Sequence, residues 1–164
     1  MRIAIISDIH DNLANLEKCL RWCAANRVRE LICCGDLTNE ETLAFLADNF
    51  SGRIYLVSGN VSLFDEADVF KYKNIKYYGR LGRFEVGGKS VGFCHEPFLI
   101  DYVLKQGPCD FIFYGHTHEP WTEKRGKATL VNPGTLSGTF SKATFAAWDT
   151  EDDKLELKVL EKLD

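Results

Sequence analysis

The sequence predicts an α/β protein in which two β-sheets pack face to face between flanking helices. Three observations favour this class. Strand and helix patterns alternate over residues 1–57, as they do in proteins with parallel sheets. Strand patterns then dominate residues 77–160, with one helical pattern among them. No linker, repeat or low-complexity tract interrupts the sequence, so residues 1–164 are expected to form a single domain.

The first part of the chain carries a β-α-β-α-β pattern. Continuous apolar runs predict buried strands at residues 2–7, 31–34 and 53–57. Apolar residues at helical spacing predict helices at residues 13–24 and 39–48. Asp11 and Asn12 precede the first helix, where N-cap residues belong. Right-handed crossovers between these strands are expected to produce a parallel sheet.

The second part of the chain is richer in strands. These are predicted at residues 77–87, 89–94, 110–114, 121–123, 128–131, 144–148 and 155–160. The Gly87-Gly88 pair predicts a turn between the first two strands, and residues 124–127 predict a second hairpin. A helix is predicted at residues 97–106. This content favours a second sheet packed on the first.

Composition and charge argue against several classes of protein. The hydrophobic fraction of 45% and the charged fraction of 27% are typical of a folded globular chain. No stretch approaches the ~20 apolar residues of a membrane span, and the N-terminal residues do not resemble a signal peptide. We therefore expect a cytoplasmic protein without a membrane partner. A net charge of −4 speaks against long nucleic acids as partners.

The chain contains six cysteines. Their spacing forms no CxxC pair and no framework typical of a small secreted domain. Free cysteine behaves as a small buried hydrophobic residue. We expect reduced, mostly buried thiols, which suit a reducing compartment.

Side chains that can bind metal follow several of the predicted strands. They are Asp8, His10, Asp36, Asn60, His95, His116 and His118. Ligands of α/β proteins collect at the carboxyl ends of strands, so these residues are expected to converge. In extended chain, alternate side chains point the same way, which predicts that Asp8 and His10 chelate one ion and that the imidazoles of His116 and His118 share a face. Taken singly, each short motif also has an ordinary structural interpretation, as a polar strand end, a turn or a histidine with a structural role.

Three of the motifs contain glycine, and in two of them the glycine precedes a residue with an oxygen ligand. Gly35 precedes Asp36, and Gly59 precedes Asn60. Glycine permits a sharp exit from a strand and a close approach of backbone, while the following side chain supplies an oxygen ligand. Both pairs also suit ordinary turns.

The order of these motifs is more specific than any one of them. D-x-H, G-D, G-N, H and G-H-x-H follow one another and include all four histidines. This series resembles the calcineurin-like metallophosphoesterase superfamily, and within it the compact bacterial and archaeal phosphodiesterases. The segment Asn132-Pro133-Gly134-Thr135 is similar to an Asn-Pro-Gly-Ser element of that group. The resemblance covers nearly the whole chain and implies a four-layer α/β/β/α sandwich with a dinuclear metal site.

The resemblance also implies how the ligands are shared. One metal would be held by Asp8, His10, Asp36 and His118. The other would be held by Asp36, Asn60, His95 and His116, with Asp36 bridging. Mixed imidazole and oxygen ligands suit divalent transition metals, with Mn first and Ni, Zn, Fe or Co as alternatives. A hydroxide between the two ions would attack a small phosphate ester.

The nature of the ester and the alternatives to catalysis follow from the same motifs. No Arg or Lys lies inside them, which favours a phosphodiester over the more negatively charged monoester. A phosphomonoesterase remains an alternative, as does a catalytically weak metal-binding scaffold, since relatives such as a retromer subunit act as interaction proteins. Pairing of subunits through an exposed aromatic surface is also left open, with the candidate residues Tyr77, Tyr78, Phe98 and Trp121.

The sequence departs from the family pattern where a general acid is expected. Val61 follows Asn60, where many members have a histidine, so the acid is not identified. Activated aryl diesters are therefore expected to react faster than alkyl esters. Substitute acids are to be sought among Glu96, Asp65 and Glu66. Substrate contacts are expected from Asn60 and from Asn12, for which helix capping is the alternative.

Overall fold

The computed structural model describes residues 1–163. The strands are β1 (Arg2–Ile6), β2 (Glu30–Cys33), β3 (Arg53–Leu56), β4 (Ile75–Tyr77), β5 (Leu81–Val86), β6 (Lys89–Cys94), β7 (Phe111–Phe113), β8 (Pro120–Arg125), β9 (Ala128–Pro133), β10 (Thr144–Asp149) and β11 (Lys154–Val159). The helices are α1 (Leu13–Ala25), α2 (Glu40–Asn49), α3 (Glu66–Val69) and α4 (Ile100–Lys105). Short 3-10 turns lie at Pro97–Leu99 and Leu160–Lys162.

The strands form two mixed sheets. The first has the order β11-β10-β1-β2-β3-β4, and the second has the order β5-β6-β7-β9-β8. Neighbours from β1 to β4 are parallel, as the alternating pattern predicts, whereas β10 and β11 continue the first sheet in antiparallel pairing. In the second sheet, β6, β7 and β9 are parallel and the two edge strands are antiparallel. Parallel strands occupy the centre of each sheet, so their carboxyl ends lie side by side.

Three apolar cores separate the layers. Helices α1 and α2 pack on the outer face of the first sheet through residues such as Leu16 and Leu43. Large side chains that include Phe93 and Trp148 fill the space between the sheets. Helix α4 packs on the outer face of the second sheet through Val103. The predicted four-layer α/β/β/α sandwich is therefore confirmed.

One predicted strand is wrong. Residues 77–87 form the end of β4 and all of β5, which belong to different sheets. The chain turns at Gly79, whose φ is +68°, and the Gly79 carbonyl accepts a hydrogen bond from the Ser58 N–H at 2.8 Å. This crossing carries the chain from the first sheet to the second. The short elements α3 and β4 were not predicted because they are only 4 and 3 residues long, too short for a periodic signal.

The remaining predicted elements exist with bounds shifted by a few residues. Val86 pairs with Lys89 across the predicted glycine turn, and Arg125 pairs with Ala128 in the predicted second hairpin. The predicted helix at 97–106 begins as a 3-10 turn and continues as α4. Within residues 1–163, no helix has both the length and the apolar character required to span a bilayer.

The cysteines are buried and free, as expected. They are Cys19, Cys23, Cys33, Cys34, Cys94 and Cys109. Burial raises the pKa of the Cys33 thiol to about 12, and burial likewise raises the pKa of Cys94 to about 12. Thiols with such pKa values stay protonated at neutral pH and act as core residues.

The four aromatic residues named for subunit pairing do not share one environment. Tyr77 packs against the core beneath α1 and α2, and Tyr78 packs against the core between the sheets. Phe98 and Trp121 are exposed. The possibility of subunit pairing therefore rests on two of the four residues.

Candidate metal centre

All seven predicted ligands lie at the carboxyl ends of strands near the centres of the two sheets. Asp8 and His10 follow β1, Asp36 follows β2, and Asn60 follows β3. The second sheet supplies the others: His95 follows β6, and His116 and His118 follow β7. The stacking of the sheets brings these loops together, so residues more than 100 positions apart in sequence are within hydrogen-bonding distance.

The first group of donor atoms surrounds Asp8 Oδ1. His118 Nε2 lies 3.2 Å from Asp8 Oδ1 and 3.2 Å from His10 Nε2. His10 Nε2 lies 3.7 Å from Asp8 Oδ1 and also 3.7 Å from Asp36 Oδ2. We refer to these atoms of Asp8, His10, Asp36 and His118 as the first donor group.

The second donor group consists of atoms of Asp36, Asn60, His95 and His116. His95 Nε2 lies 2.8 Å from Asn60 Oδ1 and 3.2 Å from Asp36 Oδ2. His116 Nδ1 lies 3.0 Å from Asn60 Oδ1. Asp36 Oδ2 therefore borders both groups, as expected of a bridging carboxylate.

The donor atoms face one another in a way that a cation would satisfy. His95 Nδ1 donates to the Cys34 carbonyl oxygen at 2.8 Å, so in a neutral ring Nε2 carries the lone pair. That lone pair faces oxygen acceptors on Asn60 and Asp36. Asp8 Oδ1 is buried and makes no hydrogen bond within residues 1–163, although His118 Nε2 is 3.2 Å away. Ligands held about 2.1 Å from one ion lie roughly 3 Å apart, so the donors fit bound metal.

Backbone conformation, rather than extended alternation, aims these side chains. Five of the predicted ligands have φ in the left-handed region: Asp8 at 55°, His10 at 43°, Asp36 at 53°, His116 at 71° and His118 at 62°. The extended backbone predicted for His116 and His118 is wrong, because both residues have left-handed φ, and their ring nitrogens belong to different donor groups. Left-handed residues turn the chain sharply, so close neighbours in sequence reach both groups. Such conformations are concentrated at functional sites.

Glycine next to the ligands permits the backbones to approach. A Cβ atom on Gly59 would lie 1.8 Å from Asp36 Oδ1. A Cβ atom on Gly115 would lie 1.9 Å from Ser7 Oγ and 2.7 Å from Asp8 Oδ2. Real Cβ contacts are never so short, so the glycines are required for this arrangement, as predicted for Gly59.

The two carboxylates are buried among histidines. Asp8 is 0% exposed and Asp36 is 3% exposed. Burial by itself raises the pKa of Asp36, but contact with His95 and the N–H of Val61 outweigh it and lower that pKa. Contact with Asp8 raises the pKa of His10. Burial opposes protonation of His95, yet its contact with Asp36 raises its pKa. A metal ion at these nitrogens would therefore compete with protons for them.

Asn132 is a supporting residue whose role was not predicted. Its Nδ2 donates to the Gly115 carbonyl and to Thr117 Oγ1, both at 3.0 Å, which fixes the loop that carries His116 and His118. Thr135 Oγ1 donates to the Asp8 carbonyl at 2.9 Å. Both residues belong to the Asn-Pro-Gly-Thr segment noted in the sequence, which therefore contacts the chain at or beside three of the predicted ligands.

Asn12 is positioned as a helix cap. Its Oδ1 accepts a hydrogen bond from the Asn15 N–H at 3.1 Å, and its Nδ2 donates to the Ser137 carbonyl at 3.0 Å. Both polar atoms are thus engaged within the chain, which favours the capping alternative over a substrate contact. Asn60 remains the candidate for substrate contact within the donor groups.

The three acids proposed to replace the missing histidine have other positions or contacts in the described chain. Val61 is 37% exposed and presents only its backbone N–H to Asp36. Glu96 accepts a hydrogen bond from Arg80 at 2.8 Å. Asp65 caps α3, and Glu66 is the first residue of that helix. The three candidate acids therefore have structural contacts or positions outside both groups of ligands.

Comparison with known proteins identifies the family. Residues 1–153 match the Calcineurin-like phosphoesterase superfamily domain. A Methanocaldococcus jannaschii protein named as a phosphodiesterase is 25% identical over 178 residues, covering 98% of this chain and 100% of that protein. The solved structure of a novel archaeal phosphodiesterase has a TM-score of 0.87 at 24% identity, covering 97% of this chain and 99% of the other.

A third similarity is to a protein with a different name. Vps29 of Entamoeba histolytica, solved in complex with Zn²⁺, has a TM-score of 0.71 at 17% identity, covering 98% of this chain and 99% of the other. At these identities the structural similarities show the fold alone. The family match spans most of the sequence and agrees with the resemblance noted from its motifs. The chain therefore belongs to the calcineurin-like phosphoesterase superfamily.

Proposed function

We propose that the protein is a dinuclear metal-dependent phosphodiesterase that hydrolyses a small phosphate ester. The observation that carries this proposal is the position of Asp36 Oδ2, which lies 3.7 Å from His10 Nε2 and 3.2 Å from His95 Nε2. A carboxylate oxygen between two sets of imidazole nitrogens suits a bridge between two cations. The seven donors then divide into the two sets implied by the family resemblance.

The donor chemistry favours divalent transition metals. Imidazole nitrogens with carboxylate and amide oxygens suit Mn, Fe, Co, Ni or Zn, and no thiolate takes part. We place Mn²⁺ first. Two such ions, when bound, supply Lewis acidity toward phosphoryl oxygens and activate water near neutral pH.

The protein's own residues hold and orient the donors. The Cys34 carbonyl fixes the tautomer of His95, so Nε2 faces the centre. Asn132 holds the loop of His116 and His118 through its two hydrogen bonds at 3.0 Å. The Val61 N–H donates a hydrogen bond to Asp36 Oδ1 at 2.9 Å, which leaves Asp36 Oδ2 to face both donor groups. These contacts preorganise the donors before substrate binds.

The charge around the centre favours diesters over monoesters. Within residues 1–163, the ion-pair partners of Asp8 and Asp36 are all histidines. Arg80 lies beside the segment that follows His95, and its guanidinium group forms an ion pair with the Glu96 carboxylate. A monoester carries nearly two negative charges and gains from additional cations, whereas a diester carries one. The M. jannaschii relative named as a phosphodiesterase agrees with this choice.

A metal-binding scaffold is the second candidate function. Two observations favour it: Val61 stands where many family members carry a histidine, and the fold is shared with Vps29 solved with Zn²⁺. Such a protein would keep the metals without turnover. A scaffold has no catalytic need for a complete ligand set, and the complete set in this chain supports the enzyme.

Hydrolysis of bis-nitrophenyl phosphate and of nitrophenyl phosphate tests the proposal. Each ester is assayed with Mn²⁺, with chelator, and with the variants Asn60→Ala and Asn49→Ala. The control Asn49→Ala removes an amide of the same size, whose one side-chain hydrogen bond within residues 1–163 is to the Phe45 carbonyl. We expect Mn²⁺-dependent hydrolysis that favours the diester, is lost with chelator or Asn60→Ala, and persists in Asn49→Ala. A metal-loaded protein that hydrolyses neither ester would contradict the proposal and favour the scaffold.

A further inference from the structure

Phe140 is an aromatic residue that the fold does not bury. Its side chain is 97% exposed, more than any other large apolar residue recorded as exposed within residues 1–163. Its φ of 65° is in the left-handed region, which is unfavourable for a bulky side chain. An exposed ring on a strained backbone contributes little to folding, so another contact is needed to explain its placement.

The position of Phe140 relates it to the first donor group. The centroids of the Phe140 and His118 rings are 6.4 Å apart, and their planes are inclined by 28°. His118 Nε2 in turn lies 3.2 Å from both Asp8 Oδ1 and His10 Nε2. The space beside this pair is a cavity of about 260 Å³ lined by His116, Thr117, His118, Glu119, Phe140 and Ser141.

The loop that carries Phe140 is fixed to the centre at both ends. Ser141 Oγ donates to the His118 carbonyl at 3.1 Å. The Ser137 N–H donates to the Asp8 carbonyl at 3.0 Å, and Ser137 Oγ accepts from the Thr139 N–H at 3.1 Å. The ring is therefore held at a defined place beside the metal ligands, while its faces remain open to a bound molecule.

We propose that Phe140 is a specificity-determining residue that packs against an aromatic ester group of the substrate. This inference rests on the proposed function, because the phosphoryl group must lie at the two donor groups for its ester group to reach the cavity. The Phe140 side chain carries no charge and no hydrogen-bonding atom, so it selects a ligand group by surface and shape. A flat exposed ring suits offset stacking with a planar group, such as an aryl ring or a nucleobase.

Binding of the methyl monoesters of phenylphosphonic and methylphosphonic acid, called phenylphosphonate and methylphosphonate below, to the Mn²⁺-loaded protein tests this inference, because each carries the single negative charge of a diester. The two ligands share the phosphonate group, differ in the ring, and contain a P–C bond in place of the scissile ester bond. Calorimetric titration compares the wild type with Phe140→Ala, Phe140→Trp and Tyr102→Ala. The control Tyr102→Ala removes another exposed ring, 54% accessible, whose centroid lies 4.8 Å from Lys105 Nζ.

We expect the wild type to bind phenylphosphonate about tenfold more tightly than methylphosphonate, a ratio in the range of base–aromatic stacking. Phe140→Ala should abolish this ratio, while Phe140→Trp and Tyr102→Ala should keep it. The affinity for methylphosphonate should be the same in all four proteins, which shows that they are folded and loaded alike. An unchanged ratio in Phe140→Ala would overturn this inference and leave the proposed function intact. Failure of the wild type to bind either phosphonate would contradict the proposed function, and this inference with it.

Discussion

Replacing Gly59 with alanine should displace the Asp36 carboxylate. A Cβ atom at this position lies 1.8 Å from Asp36 Oδ1 and 2.4 Å from the Asp36 backbone nitrogen. Gly59 is not among the residues with positive φ, so the effect of the substitution is steric rather than conformational. The substitution therefore tests whether the position of the Asp36 carboxylate between the two donor groups requires glycine in the neighbouring loop.

The size of the effect follows from the contact. Ordinary contacts between non-bonded atoms are about 3.5 Å, so the carboxylate and the loop must separate by more than 1 Å. Asp36 Oδ1 also accepts the Val61 N–H at 2.9 Å, and that bond must lengthen if the carboxylate retreats. Metal–ligand distances tolerate only about 0.2 Å, and a 1 Å misplacement can lower a rate by about 100-fold. Overpacking of this kind lowers the free energy of unfolding by about 1–3 kcal/mol.

The assay is Mn²⁺-dependent hydrolysis of bis-nitrophenyl phosphate, with thermal unfolding of each variant measured alongside. Gly59→Ala should lower kcat/KM by at least about 100-fold and weaken Mn²⁺ binding. The matched control is Gly126→Ala, where φ is 61° and a Cβ atom would meet nothing within 4 Å. The control should lose about 1 kcal/mol of stability and keep its activity. Wild-type turnover in Gly59→Ala would refute the reasoning, because the bridging carboxylate would then tolerate the displacement.

Three further predictions follow from the centre. Asn132→Ala should weaken Mn²⁺ binding by about 10–100-fold, because the loop of His116 and His118 loses two hydrogen bonds. Calorimetric titration measures the affinity, and a Kd equal to that of the wild type would contradict this prediction. Because Val61 cannot donate a proton from its side chain, hydrolysis rates across a series of diesters should fall as the pKa of the leaving group rises. A rate independent of the leaving group would oppose that view. Removal by chelator of Mn²⁺ held at about 100 times the Kd of both sites should lower the free energy of unfolding by about 2.7 kcal/mol per site. Scanning calorimetry should then show Tm falling by roughly 10–20 °C, and an unchanged Tm would speak against a centre that stabilises the fold.

The sequence predicts the buried strands and the order of the donors because both depend on local patterns. Continuous apolar runs mark β1, β2 and β3, in which consecutive residues are buried, so that both faces of each strand are covered. Polar residues directly after such runs must leave the sheet at its carboxyl edge, and this places Asp8, Asp36 and Asn60 together. Helix capping was one of two predicted roles for Asn12, and the hydrogen bond from the Asn15 N–H to its Oδ1 favours that role.

The features that sequence did not predict depend on tertiary contacts. Left-handed φ at His116 and His118 follows from a loop held by Asn132, and no short-range pattern encodes that contact. The turn at Gly79 depends on its hydrogen bond with Ser58 and on the packing of one sheet on the other, so an uninterrupted strand was predicted there. The exposure of Phe140 likewise depends on the loop's anchors.

Counting bound metal tests the central claim most directly. The wild type and His116→Ala are dialysed against Mn²⁺ over a range of concentrations, and the metal in each protein is determined by elemental analysis. His116 Nδ1 lies 3.0 Å from Asn60 Oδ1 in the second donor group. We predict two tightly bound ions per chain in the wild type and one in His116→Ala. A single ion or none in the wild type, under conditions where the protein is folded, would contradict a dinuclear centre.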